Sequence, residues 1–325
     1  MTGQPAPSGI KLGIDIGATT VKIGAVGEGT AILARAVAPT LQDFAAAADL
    51  IAKTVRDTFR EAGLGLSSLP FAGVGIPSAV HPVTGRVVEA NNAGWRDAPL
   101  KEALEKRLGL PVLVANDADC ALAAEASAGA ARGVPDVLML TLGTGVGGAL
   151  LLGGRLYRGA DGMGMELGHM PLIAGGRPCT CGADGCLEAY CSATGLVALT
   201  RDAMARHPDS LMHAWSRRRG GRVSGRTAFE CLKKGDGAAR AVVDRYCELL
   251  AQGIGGLVNA FRPRRVLVGG GVSHAGEPLF TRLNALLPRF VISFGVIGAS
   301  EVMPAQMGND AGIIGAATLD RVRGG

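Results

Sequence analysis

Residues 161–193 read DGMGMELGHMPLIAGGRPCTCGADGCLEAYCSA. The stretch places His169 before Cys179, Cys181 and Cys186 in an H-x9-C-x-C-x4-C arrangement. Four soft or borderline ligands of this kind are what a closed tetrahedral zinc site needs, so a structural Zn²⁺ is expected on His169, Cys179, Cys181 and Cys186. The Gly, Pro and Asp between them suit tight loops, and no long apolar run intervenes to hold the segment by burial alone. The metal would then supply folding energy, on a scale of about 10 to 16 kcal/mol for structural zinc peptides. Glu166 and Glu188 flank the ligands, where an ordered loop could aim both carboxylates at a polar ligand. The same residues could instead be reduced loop cysteines beside a solvated histidine, or two of them could form a disulfide.

Outward from this loop, 325 residues exceed the usual size of one core, which points to two domains. Glycine is abundant, with 50 residues, and aromatics make up only 4% of the chain. Such a composition favours turn-rich α/β packing over a β-sandwich. The net charge of +5, from 33 basic and 28 acidic residues, is too small to demand a nucleic-acid partner. The opening MTGQPAPSGIK has no apolar core or cleavage site of a signal peptide, and no stretch reads as a membrane span. Seven cysteines, three of them clustered, fit a reducing compartment, so a cytoplasmic location is expected.

Along the chain, Leu12 to Ile16 and Val21 to Val26 flank a Gly-Ala-Thr-Thr turn, the signal of a hairpin. Turns of this kind offer N–H and hydroxyl groups to phosphate, and Asp15 at the strand end could hold Mg²⁺ through water. Residues 42–62 have the spacing of an amphipathic helix, and FAGVGIPSAV reads as a buried strand entering a loop. Asn91 follows on a loop. PVLVAND then puts Asn116 and Asp117 at a strand's C-terminal end before a helix, a place where α/β folds site ligands. Asp117 is there either a helix cap or a base. VLMLTLGTGVGGALLL repeats the first hairpin about 125 residues on, which suggests a duplicated domain. SRRRGGRVSGRT, with Arg217, Arg218, Arg219, Arg222 and Arg226, reads as a solvated basic loop because it has no interleaved aromatics. RRVLVGGGVS is a strand opening into Gly269 to Gly271, where an adenosine could lie against bare backbone.

Taken together, the two hairpins, the strand-end NDA, the E-x-G-H with C-x-C-G-x-x-G-C-L-E, and VGGGVS resemble the ROK family of bacterial sugar kinases, from Leu12 to Leu319. The resemblance implies an actin/hexokinase-like (ribonuclease H-like) α/β fold of two domains around a deep cleft, and a homodimer. It implies an N-terminal domain over 10–116, with a helix at 309–323 packing back on it, and a C-terminal domain over 117–308 carrying the zinc loop 166–188. It makes Asp117 the general base, and Asn91, Asn116, Glu166, His169 and Glu188 the residues that hold the sugar. Asp15, Gly17 and Thr19 would form the first phosphate loop and Thr141, Gly143, Thr144 and Gly145 the second, with Gly269 and Gly270 against the adenosine.

This sequence departs from the family's D-I-G-G-T-K at Ala18 and Thr20, from its G-x-P-G at Ser78, and by Asn92 after Asn91. Lys22 lies two residues along the same strand face as Thr20, where it could replace the missing lysine. Ser78 puts the identity of the sugar in question. The expected reaction is transfer of the ATP γ-phosphoryl group to a hexose, glucose first, with ATP, Mg²⁺ and structural Zn²⁺ and without nucleic acid or membrane as partner. N-acetylmannosamine and N-acetylglucosamine are the nearest other substrates, and polyphosphate is an open alternative to ATP. Glu166 and Glu188 as a glycosidase pair would leave both hairpins without a purpose. A sugar-sensing regulator of the same fold is the rival from another class. Such regulators carry an N-terminal helix-turn-helix, for which a first hairpin beginning near residue 11 leaves no room.

Overall fold

The computed structural model describes residues 9–90, 93–298 and 300–322. The chain forms two compact units. One comprises Met1–Pro135, Ala149–Met165 and Gln306–Gly325, and the other Asp136–Gly148 and Glu166–Ala305.

The first sheet begins with the expected hairpin, β1 (Lys11–Ile16) and β2 (Thr20–Val26), and continues through β3 (Ile32–Pro39). Helix α1 (Phe44–Glu61) follows, started by Asp43, whose side chain accepts from the Ala46 N–H at 2.7 Å. Strand β4 (Ala72–Ile76) leads into a small hairpin, β5 (Val87–Ala90) and β6 (Trp95–Ala98), then α2 (Leu100–Leu108), β7 (Val112–Asn116) and α3 (Asp117–Ala128). The sheet order is β3-β2-β1-β4-β7, antiparallel across β1/β2/β3 and parallel across β1/β4/β7.

Side chains alternate across a strand. Leu12, Ile14 and Ile16 of β1 join Ala72, Val74 and Ile76 of β4 in one core with Ile51, Val55 and Phe59 of α1. The intervening Gly13 and Gly73 face the other way.

The second sheet repeats the plan with β8 (Val137–Leu142), β9 (Val146–Leu152) and β10 (Arg155–Leu156). After the cysteine loop come α4 (Leu187–Cys191), α5 (Ala193–Arg206), α6 (Leu211–Arg217), α7 (Thr227–Leu232) and α8 (Gly237–Phe261). Strand β11 (Arg265–Gly269), α9 (Glu277–Leu286), α10 (Phe294–Ile297) and β12 (Glu301–Pro304) complete it. Its order is β10-β9-β8-β11-β12, with β8, β11 and β12 parallel. Each sheet thus places a three-strand meander beside two parallel strands in the same sequence order, the physical form of the repeat seen in the two hairpins.

Helix α11 (Ala311–Ala317) returns to the first sheet. A Cβ on Gly13 would lie 2.0 Å from the Ile313 carbonyl oxygen, and one on Gly73 only 1.8 Å from that of Ala316. Both positions therefore exclude a side chain, and bare strand backbone receives the helix. The start of this segment is tied down by Glu125 of α3, which is fully buried. Its Oε1 accepts from the Gln306 and Met307 N–H groups at 2.6 and 2.7 Å, and its Oε2 from Ala130 N–H at 2.7 Å. The division between units falls after Pro135, beyond the boundary at 116/117 that the resemblance implies, and α3 stays in the first unit, packed on α11, β4 and β7. Among the described residues no helix is long and apolar enough to cross a membrane.

Candidate active site

In the first unit, carboxylates stand at the ends of β1 and β7. Asp15 is the penultimate residue of β1, opposite Lys22 in the β1/β2 register, and the Lys22 ammonium lies 3.4 Å from its Oδ2. The antiparallel pairing itself thus brings a lysine to Asp15, although position 20 lacks one. Burial raises the Asp15 pKa, and Lys22 opposes the rise. The Gly17–Thr20 turn is held from the end of β3, where Thr40 donates its hydroxyl to the Gly17 carbonyl at 2.9 Å and its N–H to the Thr19 carbonyl at 3.0 Å.

At the end of β7 the capping role falls to the residue before Asp117. Asn116 is the N-cap of α3, its Oδ1 accepting from Ala118 N–H at 2.8 Å, and Asp117 is the first helical residue. Asp117 is therefore not the cap. Burial, with the like charges of Asp15 and Asp119, pushes its carboxyl up to about 6, against the pull of the Ala118 N–H that its Oδ1 accepts at 2.9 Å. A carboxylate that gains a proton near neutrality is suited to general-base work. Asp119, two residues on and so across the helix, is instead paired with Arg158 in a buried ion pair of 2.8 Å.

The Asn116 amide donates to the Ser78 carbonyl at 3.3 Å. Ser78 is itself buried, with its hydroxyl 2.8 Å from the Glu89 carbonyl of β5. The departure at position 78 is thus spent on holding a loop to β5. Asn91 and its neighbour Asn92 lie outside the described residues.

In the second unit the ligand atoms of His169, Cys179, Cys181 and Cys186 all lie within 4.8 Å of one another. The Cys181 and Cys186 sulfurs are 3.7 Å apart, and the Cys179 sulfur is 3.6 Å from His169 Nδ1. A tetrahedron with metal–sulfur bonds of about 2.3 Å has edges of about 3.8 Å, so the donor set fits Zn²⁺. All seven cysteines are free, which removes the disulfide reading.

The loop is folded by its own backbone, with Cys179 N–H to Ala183 O at 2.8 Å and Gly185 N–H to Arg177 O at 2.8 Å. Gly185 has φ +80°, and a Cβ there would meet the Ile173 oxygen at 1.7 Å. Only glycine closes this turn.

Glu188, in the first turn of α4, accepts from Val146 N–H at 2.9 Å through Oε2 and from the Thr180 hydroxyl at 3.0 Å through Oε1. Glu166 is exposed just before the short turn that carries His169. The second hairpin turn, Gly143 to Gly145, sits at the end of β8, and Thr141 is paired with Gly269 of β11. A cavity of about 210 Å³ opens beside Gly271, lined by Arg226, Phe229, Val272 and His274 among others. Phe229 and His274 belong to no sequence motif, and Arg226 is the last arginine of the basic loop. Of that loop, Arg219 stacks 3.6 Å over the Trp215 ring, an aromatic just outside the basic run.

Two sheets of one strand order, with carboxylates at the strand ends of one unit and a His-Cys₃ zinc set in the other, define a mixed α/β protein of the class seen in known sugar-kinase structures. A ROK family glucokinase from Streptomyces griseus, solved with glucose and AMPPNP, matches with a TM-score of 0.81 at 32% identity, over 96% of this chain and 99% of that one. The chain belongs to the ROK family, whose model matches residues 11–322. It is 36% identical to a glucokinase of Halalkalibacterium halodurans, over 95% of this chain and 94% of the relative. To a glucokinase of Thermotoga maritima it is 34% identical, over 96% and 97%.

Proposed function

We propose that this chain is an ATP-dependent hexose kinase that transfers the γ-phosphoryl group to the 6-hydroxyl of glucose, with Asp117 as general base. The observation that carries the reading is Asp117 itself. It is a carboxylate at a strand end, fixed by the Asn116 cap and held near pH 6 by burial. It can take the hydroxyl proton as the oxygen attacks phosphorus, while Asp119, locked on Arg158, cannot.

Phosphoryl transfer asks mainly for positioning and charge neutralisation. Asp15 would hold Mg²⁺, which when bound supplies positive charge to the donor phosphates, and Lys22 adds a cation beside it. Asp15, Gly17 and Thr19 would form the first phosphate loop and Thr141, Gly143, Thr144 and Gly145 the second. Gly269 and Gly270 would lie along the adenosine, next to the cavity at Gly271.

Asn91, Asn116, Glu166, His169 and Glu188 would hold the other sugar hydroxyls, His169 through the ring nitrogen not turned to Cys179. With four protein ligands the zinc has no open position and stays structural. The reading includes the ribonuclease H-like domain pair, a cytoplasmic location and a homodimer, as the family resemblance implies.

The test is ADP release from Mg·ATP by the zinc-loaded protein with glucose, N-acetylmannosamine, N-acetylglucosamine, fructose and allose side by side, and with polyphosphate as an alternative donor. The expected result is glucose-dependent release that exceeds the other sugars. Sugar binding by calorimetry without any sugar-dependent ADP release would replace the kinase with a sugar sensor.

A further inference from the structure

The turn of the second hairpin is not held by its own strands alone. Within it, Gly143 N–H donates to the Gly145 carbonyl at 3.0 Å. Among the described residues the turn's other hydrogen-bond anchors come from the segment that begins in the zinc loop. The Gly143 carbonyl accepts from Ala193 N–H at 2.8 Å, and the Thr144 carbonyl accepts from the Thr194 hydroxyl at 3.0 Å. Val146 N–H donates to Glu188 Oε2 at 2.9 Å. The other oxygen of that carboxylate is fixed by Thr180, the residue between the zinc ligands Cys179 and Cys181. A Cβ on Gly145 would come within 2.3 Å of Glu188 Oε2, so the turn is shaped around this carboxylate.

The anchors leave the N–H groups of Thr144 and Gly145 with no acceptor among the described residues. Two adjacent backbone donors in a turn form an anion-binding concavity. Their usefulness depends on the turn keeping its shape, because a phosphate gains from donors that are already aimed.

We infer that Thr180 and Thr194 are positioning residues for the donor nucleotide, and that the metal loop, through the chain Cys179/Cys181–Thr180–Glu188–Val146, orders the second phosphate turn. The inference rests on the kinase reading. It adds that the loop's ligation state acts on ATP affinity. Thr180 lies between two ligands whose positions the metal fixes, so the hydroxyl that orients Glu188 is set when the metal is bound. Thr194 holds the same turn from the start of α5, independently of the metal.

The experiment compares wild type with Thr180→Val, Thr180→Ser and Thr194→Val, each checked for zinc content. Calorimetry measures Mg·ADP binding, steady-state kinetics separate KM for ATP from KM for sugar, and hydrogen exchange follows the peptide spanning Gly143 to Val146. Thr180→Val and Thr194→Val are expected to weaken Mg·ADP binding and raise KM for ATP by about 3- to 10-fold. This is the effect expected of losing one neutral hydrogen bond of roughly 1 kcal/mol. Exchange in the turn should quicken in both valine variants, KM for sugar should stay within 2-fold of wild type in Thr194→Val, whose bond bypasses Glu188, and Thr180→Ser should restore wild-type values. Wild-type nucleotide binding in both valine variants, or a rise in KM for sugar alone, would overturn the inference and leave the kinase reading intact. A wild-type protein that bound no Mg·ADP would overturn both.

Discussion

Replacing Asp117 with asparagine should abolish most activity and at the same time stabilise the protein, to a degree that depends on pH. The carboxyl sits near 6 when folded, against 3.8 for an unperturbed aspartate, with burial as the first cause. Below 3.8 the group is protonated in both folded and unfolded chains and contributes nothing. As pH rises through the window between 3.8 and about 6 the unfolded chain ionises first, and stability is lost. Above 6 the folded protein carries the whole cost, on the order of 3 kcal/mol at 1.36 kcal/mol per unit.

Asparagine removes that cost and keeps an oxygen for the Ala118 N–H. Thermal denaturation of both proteins at pH 8 and pH 5 is the assay. The variant should melt several degrees higher at pH 8, at about 2 to 4 °C per kcal/mol, and roughly half of the gain should be gone at pH 5. Its turnover should fall by about 10²- to 10⁴-fold with little change in sugar binding. A melting difference identical at both pH values would refute the buried-charge argument, and near-wild-type turnover would remove Asp117 as the base.

Metal analysis of the purified protein should find about one zinc per chain, from the four-ligand count, and its removal by chelator should lower the melting temperature; active protein devoid of zinc would contradict the assignment. Glu125→Leu removes the acceptor of three backbone N–H groups and should cost at least about 2 to 4 kcal/mol in urea denaturation, with Glu125→Gln costing less. A change below about 0.5 kcal/mol in the leucine variant would show that those amides find other partners.

What could be read from the sequence was whatever depends on near neighbours. The two hairpins, the Asp43-capped helix and the four zinc donors are all local patterns, and they fall within a residue or two of where the spacing puts them. Whether Asp117 caps its helix turned on one residue of backbone geometry, which gives the cap to Asn116. Lys22 on Asp15 was accessible only through the strand register. Glu125 lies in an Ala-rich helix, and two of its partners are 181 and 182 residues away, so nothing around it marked a buried carboxylate as an anchor. Ser78 stands out as a departure from the motif, but the partner of its hydroxyl on β5 is set by the loop between them and no local pattern gives it. Phe229 and His274 meet at the Gly271 cavity from segments with no common pattern.

The bare backbone at Gly13 and Gly73 has a consequence for how the chain is made. β1 and β4 are complete early in synthesis, yet the helix whose carbonyls rest on those glycines comes from Ala311–Ala317. At about 5 to 20 residues per second, the ribosome needs roughly 10 to 40 s to travel from Pro135 to that helix. Through that interval the first sheet has one face covered by α1 and α2, while on the other α3 packs on β4 and β7 and the backbone at Gly13 and Gly73 awaits its helix. The unit begun first is therefore finished last, after all of Asp136–Ala305 has emerged.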